Sequence, residues 1–217
     1  MGDTIKIWGR KTSSNVQSVM WMVAELGLDH ERKDVGGKFG GNDTPDYLAM
    51  NPNGLVPVLQ DGDLVLFESH AIVRYLARQY GEGRLCAADP AGFAAEDKWL
   101  EWAKTTVYPP LIPGIFWSLI RTPAAMRDMD RLASDVSAVQ RLARIADTQL
   151  SSTGFMCGNA LSIADIGFGG LLYRYFTLEF EREELPALSE YYQKLIERPG
   201  YREHVMIDYS ELKAPDA

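Results

Sequence analysis

The chain is poor in cysteine. Cys86 and Cys157 are its two cysteines in 217 residues, and they form no C-x-x-C pair. A disulfide framework is therefore not expected, and both thiols read as small, buried or half-buried side chains. An apolar run approaching the ~18 residues needed to cross a bilayer is also missing. Asp3, Lys6 and Arg10 interrupt the stretch where a signal-peptide core would lie, so a cytoplasmic protein without membrane partners is the expectation. There is no excess of positive charge. The net charge of -8 speaks against a nucleic-acid surface. His30, His70 and His204 are scattered, which proposes neither a metal site nor a triad. No G-x-S-x-G, Walker or dinucleotide motif occurs. What remains is an ordinary globular composition, 46% hydrophobic and 24% charged, long enough for one large or two small domains with a real core.

The most informative stretch is 51–77. Asn51-Pro52-Asn53-Gly54-Leu55-Val56-Pro57-Val58-Leu59 is followed by Asp61-Gly62-Asp63 and then by Leu64 to Ala77. It reads as a strand containing a proline, a two-residue hairpin signal at Asp61-Gly62, a second strand, and a helix opening with Glu68-Ser69. Proline donates nothing to a sheet ladder, so Pro57 belongs at an edge or a strand start, where a cis peptide is also compatible. That leaves the Val56 backbone free to pair with an extended peptide. The helix start near Ser69 offers unpaired N–H groups and partial positive charge to a carboxylate. Glu68 beside it suits an ammonium. A peptide-like ligand with a carboxylate and an amine at one end fits all three features. A net negative protein does not attract such an anion at long range, so the site must act locally.

Around this unit, Thr4 to Trp8 alternates as a short strand. A turn from Gly9 to Ser14 leads into a helix with apolar Val16, Val19, Met20, Val23 and Leu26, stopped at Gly27. His30 to Val35 reads as an edge-like strand and Gly36 to Gly41 as a flexible loop. The order βαβ then ββα predicts a thioredoxin-like half over 1–81. A linker over 81–92 leads to an all-helical half over 90–217. Asp89-Pro90 and Thr122-Pro123 read as helix starts, and Pro109, Pro110 and Pro113 should kink or break the helix between them. Met129 to Leu150 forms one long amphipathic helix. Ser162-Ile163-Ala164-Asp165 is a capping box on a helix apolar on nearly all sides, the expected central helix of this half. Leu185-Pro186 and Arg198-Pro199-Gly200 bracket a final helix, and the last dozen residues read as a loose tail. The fold class is α+β.

The valine-proline strand with Glu-Ser at the following helix, and the capping box on a buried helix, resemble the cytosolic glutathione transferases over nearly the whole chain. The stretches Gly-Gly-x-Phe-Gly and Asn-Pro-Asn-Gly-x-Val-Pro are similar to a bacterial subgroup. The resemblance implies that Pro57 is cis, that Val56 pairs with the cysteinyl backbone of glutathione, and that Glu68 and Ser69 hold its γ-glutamyl end. Lys38 lies in the loop where relatives often place a cation for the glycine carboxylate. Leu55 departs from several classes, which carry a polar glutathione contact there.

Thiol transfer needs the thiolate. A free thiol with a pKa near ~8.5 is only slightly ionised at neutral pH, and lowering it by ~2 units takes about 2.7 kcal/mol of preferential thiolate stabilisation. A hydroxyl donor with a helix N-terminus can supply that. No tyrosine lies in or near the first strand. The turn Thr12-Ser13-Ser14-Asn15 is similar to that of serine-type classes, which makes Ser13 the thiolate donor and Asn15 a secondary donor. Thr12 and Ser14 are neighbouring alternatives, and helix capping is the competing structural reading of the whole run. Tyr108, Ile112, Phe116 and Trp117 surround the proline cluster and are candidates for the electrophile pocket. Core packing competes for each and is favoured for Phe116 and Trp117.

The implied function is that of a glutathione transferase, with glutathione as co-substrate and no metal, acting on small apolar electrophiles in detoxification, as a cytoplasmic homodimer. A glutathione-dependent disulfide reductase or peroxidase would use the same site with room for a second glutathione. A maleylacetoacetate-type isomerase is disfavoured, because that class resembles Ser-Ser-Cys-Ser at this turn. A non-catalytic binding module with the same fold is the rival from a different class.

Overall fold

The computed structural model describes residues 4–215. Alternation fixes the first strand: in β1 (Ile5–Trp8) Ile5 and Ile7 are buried while Lys6 and Trp8 stay partly open. β1 pairs in parallel with β2 (His30–Lys33) on one side and antiparallel with β3 (Val58–Asp61) on the other, and β3 pairs antiparallel with β4 (Leu64–Phe67). The order is β2-β1-β3-β4. β3 is thus an inner strand, contrary to an edge position for the proline segment. Pro57 is tolerated because it precedes the first ladder residue, Val58, which sits opposite Trp8 and Phe67. The Val56–Pro57 peptide is cis.

Helix α1 (Ser14–Leu26) ends where Gly27 adopts φ 66° and returns its N–H to Ala24 O. α1 packs against α3 (Ser69–Tyr80) and against the helical half. A short helix, α2 (Pro45–Met50), capped by Thr44, connects β2 to β3. The sequence gives it a weak signal of one turn and a half. The predicted glycine loop contains a 3₁₀ turn at Gly37–Phe39.

Asp89 caps α4 (Pro90–Trp102) through Gly92 N–H. Of the kink or break expected at the prolines, the break does not occur. The chain continues as wide π-helical turns over Ala103–Val107 and Pro110–Arg121, whose altered hydrogen-bond spacing absorbs the missing proline N–H groups. Thr122-Pro123 starts only a 3₁₀ turn at Ala124–Met126, and Asp128 caps α5 (Met129–Ser151). α6 (Ile163–Thr177) opens with the capping box of Ser162 and Asp165 and buries twelve of its fifteen residues. Asp165 also accepts from Met156 N at 2.8 Å and Tyr191 Oη at 2.8 Å. Glycines let α6 approach its neighbours closely: a Cβ at Gly170 would lie 2.8 Å from Ser18 Oγ of α1. α7 (Pro186–Ile196) is followed by a short additional helix, α8 (Pro199–His204). Arg198 joins it to α1 through Glu25 at 2.8 and 2.5 Å.

The described end of the chain is not a loose tail. Tyr209 is buried against Phe116 and Tyr173, and Ala214 N–H donates to Ile120 O at 2.8 Å. Among the described residues no helix is long and apolar enough to cross a membrane.

Candidate active site

A cleft of about 460 Å³ opens between the sheet and the helical half. From the sheet side it receives Ser13, Asn15, Val56, Pro57, Glu68 and Ser69, and from the helical side Lys104, Tyr108 and Trp117.

Ser13 holds the N-cap position of α1 with extended φ and ψ, the conformation in which a serine hydroxyl normally accepts from the first helical turn. Its side chain makes no such bond. The residue is 9% exposed and lines the cleft, so Oγ is uncommitted and the unpaired N–H groups of the first turn lie beside it. Thr12 and Ser14 do not line the cleft. Both are buried, and Thr12 Oγ1 has no partner. Asn15 lines it, with Oδ1 accepting from Lys104 Nζ at 2.8 Å.

At the far side Ser69 is the first residue of α3, 2% exposed, and its Oγ also lacks a partner. Glu68, at the N-cap, has φ 71° and ψ 112°, a region a non-glycine residue enters only under constraint. Asn51 and Tyr47 hold the approach to Val56: Asn51 Nδ2 and Tyr47 Oη both donate to Leu55 O at 2.8 Å.

The structure separates the aromatic and aliphatic candidates. Tyr108 lines the cleft, with the Lys104 ammonium 4.7 Å from its ring centre. Ile112 and Phe116, each 3% exposed, turn into the helical core and do not line the cleft. This corrects their assignment to the electrophile pocket. Their side chains belong to the buried hydrophobic core instead. Trp117, for which core packing was the stronger reading, is 45% exposed and lines the cleft. Lys38 does not line it; its ammonium is paired with Glu211 on the surface.

Two cations in the cleft had no motif to announce them. Arg10 lies under the glycine loop, where a Cβ at Gly37 would come 3.0 Å from its Cδ. Burial lowers its pKa, helped by nearby Arg121. Lys104 is a polar position within a helical pattern, and its place in the cleft follows from the wide turns after α4. Burial lowers its pKa, opposed by Glu68 and Glu101.

Cys86 and Cys157 are free thiols, both raised in pKa first by burial, Cys157 to about 12. Neither is in the cleft, and neither is poised as a nucleophile. His30 and His204 approach to 6.3 Å between ring centres, away from the cleft. Among the described residues no group of three or more His, Cys, Asp or Glu side chains could hold a metal ion.

The family pattern of the glutathione S-transferase N-terminal domain matches residues 3–78, and that of the C-terminal domain matches residues 108–199. Glutathione S-transferase GstB of Escherichia coli K12 is 40% identical over 208 residues, covering 95% of this chain and all of that one. Glutathione S-transferase 4 of Zea mays is 30% identical, with 90% of this chain and 89% of that one covered. The theta class glutathione S-transferase of Xanthomonas axonopodis pv. citri, solved with glutathione bound, is 43% identical with a TM-score of 0.90, covering 96% of this chain and 99% of that one.

Proposed function

This chain belongs to the glutathione S-transferase family, and from that premise we propose a serine-type site in which Ser13 holds the glutathione thiolate for attack on a small apolar electrophile. The protein is a glutathione S-transferase with a thioredoxin-like half and an all-helical half. We divide these halves at 1–81 and 90–217. The observation that carries the site is the Ser13 hydroxyl, which occupies a capping position without capping.

Glutathione lies along Val56, whose backbone pairs with the cysteinyl unit. Its γ-glutamyl carboxylate sits on the α3 N-terminus and the unpartnered Ser69 Oγ, and its amine pairs with Glu68. The sulfur loses its proton to solvent, the thiolate accepts from Ser13 Oγ, and Asn15 assists. The electrophile rests against Tyr108 and Trp117. Catalysis is orientation plus thiolate stabilisation, with no covalent enzyme intermediate. Cytoplasmic detoxification of electrophiles is the corresponding role. A homodimer is supported by apolar side chains left open on β4 and at the start of α5, among them Leu64, Phe67 and Met129. Neither the disulfide reductase or peroxidase reading nor the non-catalytic module has an observation in its favour.

The test is ultraviolet titration of bound glutathione near the thiolate band, for wild type and Ser13→Ala. A thiol pKa depressed in the wild type and restored toward ~8.5 by Ser13→Ala supports the assignment. A depressed pKa that Ser13→Ala leaves in place moves the donor role to Asn15 or to the helix N–H groups.

A further inference from the structure

Arg174 is an arginine without a carboxylate. It stands on α6 and is 2% exposed. Nη1 donates to Gln17 Oε1 at 2.7 Å and Nη2 to Thr12 O at 2.9 Å, while Nε has no partner. The face of Phe116 lies 4.9 Å from its guanidinium carbon. The other groups acting on it are Tyr108, Tyr201, Tyr209 and a second cation, Arg10. None of these is a carboxylate. Burial lowers the Arg174 pKa to about 10, which still leaves it charged at pH 7. A buried charge is ordinarily paired, because its lost hydration must be offset. Among the described residues the protein supplies two neutral acceptors and no counter-ion.

The position of Arg174 points to the anion it serves. The Thr12 carbonyl it holds belongs to the peptide that carries the Ser13 N–H, and Ser13 opens onto the cleft. Gln17, its second partner, donates to Lys11 O at 3.0 Å and so ties the same turn from below. We propose that Arg174 is the buried counter-charge of the glutathione thiolate, a positioning residue that fixes the Thr12–Ser13 turn and projects an uncompensated positive field onto the sulfur. The inference rests on the Ser13 reading. Because Arg174 is buried, its charge is screened less than that of a surface cation. Lys104 and Arg10 add positive charge to the same cleft and Glu68 adds negative charge. The test must therefore alter the Arg174 contribution alone.

Gln17→Glu is isosteric and sets a carboxylate against Nη1, pairing the arginine where it stands, and it also loses the Nε2 bond to Lys11 O. Gln17→Met loses that bond without adding a carboxylate and is measured beside it; an equal pKa shift in both variants overturns the proposal. Titration of bound glutathione should show the thiol pKa raised by about one unit in Gln17→Glu, and in Arg174→Gln if that variant folds. Affinity for S-methylglutathione, which has no ionisable sulfur, should stay within about threefold, since the loss tracks the charge on sulfur. An unchanged thiol pKa in folded Gln17→Glu overturns the proposal. So does an S-methylglutathione affinity that falls as far as that of glutathione, which would mark a merely structural defect. A wild type with no depressed thiol removes the Ser13 reading and this one with it. A depressed thiol that Ser13→Ala raises and Gln17→Glu does not removes Arg174 alone.

Discussion

Lys104 Nζ meets Asn15 Oδ1 at 2.8 Å and so ties the helical half of the cleft to the helix that carries Ser13. An ammonium can only donate, so it selects the carbonyl oxygen of the amide and turns Nδ2 the other way. Asn15 is thereby presented as a donor. Burial lowers the pKa of this ammonium, and Glu68 and Glu101 oppose that pull.

Replacing Lys104 by Met should therefore release the Asn15 amide and remove a cation from the cleft. The expected loss in kcat/KM is about tenfold, the scale of one hydrogen bond to a charged group. Steady-state kinetics with glutathione varied should show kcat carrying most of it. A loss confined to KM would mean that Lys104 binds glutathione and leaves Asn15 alone.

Glu68 should show function set against stability. Its φ of 71° costs on the order of 1–3 kcal/mol for a residue with a Cβ, and glycine removes that cost. Glu68→Gly should be no less stable than the wild type in thermal unfolding, while glutathione affinity falls about tenfold or more through loss of the carboxylate. Glu68→Gln keeps the strain and loses only the charge, so it should bind as poorly without the gain in stability. A destabilised Glu68→Gly with intact binding would contradict the strained conformation being held for the ligand.

Tyr108 and Phe116, eight residues further along, should respond in opposite ways. Tyr108→Ala should raise KM for an apolar electrophile severalfold with little change in unfolding, because the ring lines the cleft. Phe116→Ala removes a buried ring that packs on Arg174 and Tyr209, and should cost about 3–5 kcal/mol of stability. A specificity change in Phe116→Ala with normal stability would return that residue to the pocket.

Much of this was legible because it is written locally. A strand-turn-helix start, an Asp-Gly hairpin and a capping box each specify their own geometry within a few residues, so Ser13, Val56, Glu68 and Ser69 could be named together before any coordinates. Lys104, Arg10 and Arg174 could not. Their meaning arises only when α6 and the segment after α4 close over the turn at 10–15, and nothing in a helical pattern distinguishes a lysine facing solvent from one facing a cleft. Ile112, Phe116 and Trp117 failed for a related reason. The prolines were expected to kink or break the helix, but wide turns carry it through them, and which of its residues meet the core or the cleft depends on partners from other elements that no local count reveals. The tail was misjudged because Tyr209 is one aromatic in a polar stretch, and its partner Phe116 lies far away in the chain.

His70 should govern part of the acid response. It is buried, its Nδ1 has no partner, and it lies within the field of Lys104 and Arg74. Burial first, then those two cations, lower its pKa from 6.5 to about 3, against a smaller opposing contribution from the Leu100 backbone. Above pH 6.5 the ring is neutral in both folded and unfolded chains and contributes no pH dependence. Between 6.5 and 3 the unfolded chain takes up a proton that the folded one refuses. Stability is therefore lost as pH falls through that window, by up to about 1.4 kcal/mol per pH unit. Urea unfolding at pH 7.5, 6 and 5 for wild type and His70→Gln isolates this residue, because the carboxylates titrate alike in both. The variant starts from a different stability but should fall less steeply, with the gap between the two changing by about 1–2 kcal/mol from pH 7.5 to pH 5. Parallel curves would show that His70 is protonated as readily in the fold as outside it.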